Sequence, residues 1–142
     1  MSREVRVFEP TWQDRHFRKA LEKLRAEERA QRAGQVAALV KVLQVCANPV
    51  TDPALQAWRP SSYRGVIQLK GGGQLVEYRF PGVMRVIACC FESSREGRSL
   101  VLLLTITLDH DHERMKKLLR QNVGEILETG LSFLEGREPD PG

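Results

Sequence analysis

The sequence predicts an α+β domain in which a helical hairpin packs on an antiparallel sheet of about four strands and a C-terminal helix follows. Apolar residues recur at helical spacing in two N-terminal segments, the hydrophobic period falls to two across residues 63–108, and helical spacing returns over residues 111–134. The chain has 142 residues, of which 42% are apolar, enough for one core. We therefore assign residues 1–136 to a single domain and residues 137–142 to a flexible tail.

The N-terminal part is expected to form one strand and two helices. Val5–Phe8 is a short β-prone segment, and Thr11 is suited to begin the first helix. The buried stripe of that helix is expected to contain Phe17, Ala20, Leu21 and Leu24. Gly34 is expected to separate it from a second amphipathic helix, which ends at Asn48-Pro49. The charged run Arg25–Arg32 is interpreted as a solvated helix end, with an RNA-binding arm as the alternative.

The middle of the chain is typical of an antiparallel meander that follows a loop over Val50–Ser62. Trp58 is interpreted as an anchor that packs this loop onto the body of the domain. Strands are expected at Tyr63–Lys70, Gln74–Phe80, Val83–Phe91 and Leu100–Leu108. Gly71–Gly73 is interpreted as a hairpin turn. A phosphate-binding loop would be followed by Lys and Ser or Thr and would open a helix, and this triplet does neither.

Composition favours a basic, cytoplasmic protein. Lys and Arg number 22 against 18 Asp and Glu, and the formal net charge of +4 favours polyanionic partners. The cysteines are Cys46, Cys89 and Cys90, an odd number that makes a poor disulfide framework. Adjacent strand residues point to opposite faces, so Cys89 and Cys90 are read as small buried hydrophobes and not as a metal site. We expect no signal peptide, no membrane partner and a cytoplasmic location.

Three short segments follow one another in the predicted sheet: Leu69–Gly73 with its glycines, Val76–Phe80 with an aromatic-Arg pair, and Met84–Val86 with an arginine. Together with the order of elements, they resemble the RelE/ParE/HigB superfamily of bacterial toxins, closest to its HigB and phage-derived branch. The likeness covers roughly residues 5 to 120. The extended C-terminal helix departs from the family, as does Asp109-His110-Asp111-His112, which replaces its usual basic or Tyr-containing segment.

The resemblance implies a RelE-like fold and the toxin of a type II toxin-antitoxin system. Members of this kind cleave messenger RNA, on the ribosome or free, by attack of the ribose 2′-hydroxyl on the neighbouring phosphate, without metal or other cofactor. The expected partners are RNA and a cognate antitoxin whose acidic or amphipathic segment covers the basic face. Alternatives are a ParE-like toxin that inhibits gyrase by protein binding, and an inactive regulatory or structural protein. The wide apolar stripe of the C-terminal helix leaves a homodimer open.

The cluster from Asp109 to His112 contains the candidates for proton transfer. Cleavage by a 2′-hydroxyl needs a base for its proton and an acid for the leaving oxygen, and histidine titrates near neutral pH. We assign these roles to His110 and His112, tuned by Asp109 or Asp111. Helix capping by an aspartate beside solvated histidines is an alternative interpretation, and a metal site from the alternating Asp and His is another.

Charged residues on the predicted second and third strands are the candidates for phosphate binding. Strand alternation places Glu77 and Arg79 on the face opposite Val76 and Tyr78, and Arg85 lies across the turn from Arg79. The two arginines suit a scissile phosphate, with Glu77 as an alternative base. Further RNA-binding candidates are Lys70, Arg64 and Arg114. The alternative is that all of these are solvent-facing charges on the open side of the sheet.

Overall fold

A computed structural model describes residues 2–8, 17–26, 30–62, 73–93, 97–107 and 112–136. It confirms the α+β class. The strands are β1 (Ser2–Val7), β2 (Ser61–Ser62), β3 (Gly73–Arg79), β4 (Arg85–Ser93) and β5 (Arg98–Thr107). The helices are α1 (Phe17–Ala26), α2 (Ala30–Val45), α3 (His112–Gln121) and α4 (Val123–Leu134), and a 3₁₀ helix spans Pro53–Trp58. Within the described ranges, no helix has the length and apolarity needed to cross a bilayer.

The five strands form one sheet in the order β1-β5-β4-β3-β2. The predicted meander is present as β3, β4 and β5, which pair antiparallel. The prediction of about four antiparallel strands is wrong in one respect, because β1 joins the outer edge of β5 in parallel and makes the sheet mixed. Hydrophobic alternation determines which face a side chain occupies, but it carries no information about the neighbour or direction of a strand.

The helical hairpin of α1 and α2 covers one face of the sheet. Its buried residues recur three and four apart and meet the inward-facing residues of the strands. The largest buried side chains of this core include Leu24, Leu39, Leu43, Leu55, Tyr78 and Met84. Trp58 packs against the same core from the 3₁₀ helix, so the prediction that it anchors this loop is confirmed.

The second face is covered by α3 and α4. The strands contribute Leu75, Ile87, Cys89, Phe91, Leu100, Leu102 and Leu104 to this core, and the helices contribute Met115, Leu119, Ile126 and Phe133. Gly130 allows α4 to approach closely, since a Cβ atom there would lie 2.3 Å from the ring of the fully buried Phe91. The two adjacent cysteines point to opposite cores, as alternation predicts, and all three thiols are free and buried.

The boundaries of the helices differ from the prediction at two places. The prediction of a single C-terminal helix is wrong, because Asn122, with φ −116° and ψ 13°, separates α3 from α4. Both helices bury residues against the same face, so their apolar period continues across the break and conceals it. Gly34 does not separate α1 from α2. It lies inside α2 on the exposed surface, where a glycine costs only about 1 kcal/mol and a helix tolerates it.

The segment after α2 is more regular than the loop that was predicted there. The loop expected over Val50–Ser62 contains the 3₁₀ helix and the short strand β2, which pairs with β3. Asp52 begins the 3₁₀ helix by accepting a 2.8 Å hydrogen bond from the Ala54 amide. The strand expected over Tyr63–Lys70 and the tail at 137–142 lie outside the described residues.

Candidate functional site

The candidate site lies where β3 and β5 end and β4 begins, on the face that α3 and α4 cover. The register pairs Arg79 with Arg85 and Arg85 with Thr107. Glu77 lies two residues before Arg79 on the same face, and Thr105 lies beside Ile87. We call these five residues, Glu77, Arg79, Arg85, Thr105 and Thr107, the polar end of the sheet. Strand alternation correctly predicted the shared face of Glu77 and Arg79.

Glu77 is a largely buried carboxylate that binds Arg85. Only 9% of the residue is exposed, and its Oε1 lies 3.5 Å from Nε of Arg85. The two residues are diagonal neighbours on adjacent strands, a spacing that long side chains bridge. A carboxylate so far removed from water needs an opposite charge, because removal of one partner would leave an uncompensated charge. The interpretation of Glu77 and Arg85 as solvent-facing charges on an open face is therefore wrong.

Arg85 is also bound to the turn between β3 and β4. Its Nη1 donates to the carbonyl oxygens of Phe80 at 3.3 Å, Gly82 at 3.2 Å and Met84 at 2.8 Å. Gly82 has a φ of 77°, the left-handed conformation that glycine adopts without strain. Nε and Nη1 are thus committed to Glu77 and to the turn. Arg85 holds the carboxylate and the hairpin in place, and only its Nη2 remains to contact another group.

Arg79 differs from Arg85 in that its side chain is exposed. It lies directly opposite Arg85 in the register, and it forms no ion pair with any described residue. Two guanidinium groups on neighbouring strand positions repel one another in the absence of an anion. Glu77 already balances the charge of Arg85, so it is the exposed Arg79 that can bind a phosphate, for which the planar fork of arginine is well suited.

The proposed proton-transfer groups fall largely outside the described residues. Asp109 and His110 both lie outside the described residues. His112 is the first residue of α3, but its side chain is not described. What the structure does place is the end of β5, since Thr107 lies opposite Arg85. The last described residue of β5 therefore lies at the polar end of the sheet.

The remaining RNA-binding candidates are not brought to the site by any described contact. Arg64 and Lys70 lie outside the described residues, and Arg114 belongs to α3 but its side chain is not described. Their assignment stays a prediction.

Arg32 lies near the turn between β3 and β4 and was not among the predicted site residues. Its Nη2 lies 3.9 Å from the position that a Cβ atom on Gly82 would occupy. The charged run was interpreted as a solvated helix end, yet Arg32 is four residues before the buried Val36 and so lies on the inner side of α2. That spacing was the available signal.

Arg3, at the opposite end of the sheet, has a structural role. Its guanidinium donates to the carbonyl oxygens of Leu43 at 3.3 Å, of Ala47 at 3.1 Å and of Cys46. Its Nε donates to Oγ of Ser99 at 3.3 Å. These carbonyls belong to the C-terminal end of α2 and the residues that follow it, where a cation also complements the helix dipole. The charge of Arg3 is therefore used to join α2 to the sheet.

A cavity of about 90 Å³ also lies at that end. It is lined by Asn48, Pro49, Val50, Gln74, Cys90 and Glu92. Burial raises the pKa of the Cys90 thiol to about 12, so the thiol stays protonated at neutral pH. A protonated thiol is a poor nucleophile, so Cys90 is read as a structural residue of the cavity wall.

Comparison of the chain with protein-family models, with curated proteins and with solved structures finds no match.

Proposed function

We propose that the protein is a metal-independent endoribonuclease of the toxin type, which cleaves messenger RNA at the polar end of the sheet. The observation that carries this proposal is the grouping of the largely buried Glu77 with Arg85 at 3.5 Å and the exposed Arg79 opposite it. A carboxylate and two guanidinium groups on one sheet face provide a binding place for a phosphate whose charge increases during cleavage.

The chemistry divides among the residues as follows. A base removes the proton of the 2′-hydroxyl, the freed oxygen attacks the neighbouring phosphorus, the bond to the 5′ oxygen breaks, and an acid protonates that oxygen. His110 and His112 are the proposed acid and base. Arg79 binds the phosphate, and Arg85 acts as a positioning residue that fixes Glu77 and the turn.

The order of the elements supports the proposal. A strand, a helical hairpin and an antiparallel meander occur in the order that the resemblance implies. The layer of α3 and α4 over the second face departs from that pattern, and it packs on the apolar residues of that face. We further propose that the protein acts in the cytoplasm and that an antitoxin with an acidic segment neutralises its basic surface.

The proposal is tested by induced expression in a bacterial host, with growth and messenger RNA integrity followed together. The wild type is expected to arrest growth and to cleave RNA. His110→Ala/His112→Ala is expected to slow cleavage by about 100-fold or more, because proton transfer is lost. Arg79→Ala is expected to slow it by about 100-fold, the effect of one charged contact to a transition state. Lys41→Ala, which changes an exposed cation of α2, is the control.

Three outcomes would contradict the proposal. Growth arrest with intact RNA would favour a protein target such as gyrase. Unimpaired growth, together with no cleavage by purified protein, would favour the inactive alternative. Full cleavage by both the histidine variant and the Arg79 variant would leave a nuclease whose site lies elsewhere.

A further inference from the structure

The turn between β3 and β4 is approached by arginines from two layers of the molecule. Arg85 reaches Gly82 from the sheet, with its Nη1 3.2 Å from the carbonyl oxygen. Arg32 reaches the same glycine from α2, with its Nη2 3.9 Å from where a Cβ atom would be. Gly82 is exposed and has no side chain, so nothing of its own screens the two cations from a ligand.

The charges at this turn are incompletely balanced within the described part of the chain. Glu77 is bound to Arg85. Neither Arg32 nor Arg79 forms an ion pair with any described residue. Arginines held close together without a matching number of carboxylates attract a polyanion, and the attraction depends on salt.

We propose that Arg32 and Arg79 bind phosphates of a single-stranded RNA that passes over the Gly82 turn. This inference rests on the proposed function and adds the path of the substrate beyond the scissile phosphate. Arg79 holds the chain on the sheet face and Arg32 holds it on the helical side. Phe80, the aromatic residue of the turn, is buried and offers no surface for base stacking. Recognition here is therefore of the backbone and is independent of base sequence.

The experiment measures binding separately from cleavage. The probe is a fluorescein-labelled 2′-O-methyl oligoribonucleotide of about 12 nucleotides, a length suited to one small domain, which lacks the attacking hydroxyl. Affinity is measured by fluorescence anisotropy over a range of salt concentrations for two unrelated base sequences. The proteins are wild type, Arg32→Ala, Arg79→Ala and Arg32→Lys.

The control variant is Lys41→Ala. Lys41 is exposed on the same helix as Arg32, about 14 Å further along its axis, and its replacement removes the same charge. Circular dichroism and thermal unfolding of each variant show whether a loss of binding reflects a loss of fold.

The logarithm of the association constant falls linearly with the logarithm of the salt concentration. Each alanine variant is expected to make this slope less steep by about 0.7, the value for one phosphate contact to a single strand. Arg32→Lys is expected to keep the slope, Lys41→Ala to leave it unchanged, and both base sequences to respond alike. An unchanged slope for a folded Arg32→Ala overturns the proposed path, even if the wild type cleaves RNA. A reduced slope in a protein that cleaves no RNA supports the path and overturns the nuclease. A wild type that does not bind the probe overturns the path as well.

Discussion

The two faces of the sheet differ in how they use the same strand alternation. On the face covered by α1 and α2, the strands have polar residues, Gln74, Glu92 and Ser99, at the end near Arg3. The buried hydroxyl of Tyr78 on this face donates to the carbonyl oxygen of Pro49 at 2.7 Å. On the face covered by α3 and α4, the same strands are apolar in the middle and have Glu77, Arg79 and Arg85 at the end beside the β3–β4 turn. Both faces therefore combine a core with a polar end, but the polar residues lie at opposite ends of the strands, and the charged end beside the β3–β4 turn belongs to the second face.

The largest effect is expected at Gly130, where α4 packs on the core of the second face. A methyl group there would lie 2.3 Å from the ring of Phe91, which is fully buried and has no room to move. Gly130→Ala is expected to lower the free energy of unfolding by about 2 to 3 kcal/mol, the cost of overpacking. Urea unfolding at neutral pH measures it.

The matched control is Gly124→Ala in the same helix. Gly124 has no atom within 4 Å of an added Cβ, so alanine is expected to stabilise the protein by about 0.5 to 1 kcal/mol. Equal effects of the two substitutions would show that α4 does not pack on Phe91.

On the first face, the Tyr78 hydroxyl gives a smaller test. Tyr78→Phe keeps the ring but leaves the Pro49 carbonyl without its donor in a buried place. The free energy of unfolding is expected to fall by about 1 to 2 kcal/mol, because an unsatisfied buried acceptor retains its desolvation cost. Chemical denaturation checks this, and an unchanged midpoint would mean that water satisfies both groups equally well.

A small loss of stability is also expected at alkaline pH. Burial raises the pKa of Cys90 from 9.0 to about 12, and burial also raises the pKa of Cys89 on the other face. The folded state then holds a proton that the unfolded state releases, so the stabilisation is complete below pH 9 and declines as the pH rises. For each thiol, the free energy of unfolding is expected to fall by about 1 kcal/mol between pH 8 and pH 9.5.

Unfolding curves of the wild type and of Cys90→Ala over this pH range measure the contribution of that thiol. The variant is expected to show a shallower decline, whatever its stability at pH 7. Identical slopes would indicate that water reaches Cys90 in the folded protein.

Much of the fold followed from local patterns in the sequence. The period-two runs predicted β3, β4 and β5, and the opposite orientations of Cys89 and Cys90 followed from the same alternation. The shared face of Glu77 and Arg79 did as well. The break at Asn122 could not be predicted in this way, because α3 and α4 pack on the same face of the sheet and the apolar period continues through the break.

The sequence by itself determined the class of the fold, the inward-facing residues of its strands and the types of residue available for chemistry. Only the tertiary structure decided that β1 pairs in parallel with β5, that Arg85 is divided between Glu77 and the turn, and that Arg32 reaches Gly82. Periodicity is a property of neighbours along the chain, and it fixes the direction of a side chain. Which side chains from distant elements meet depends on how the layers pack, and no local pattern contains that information.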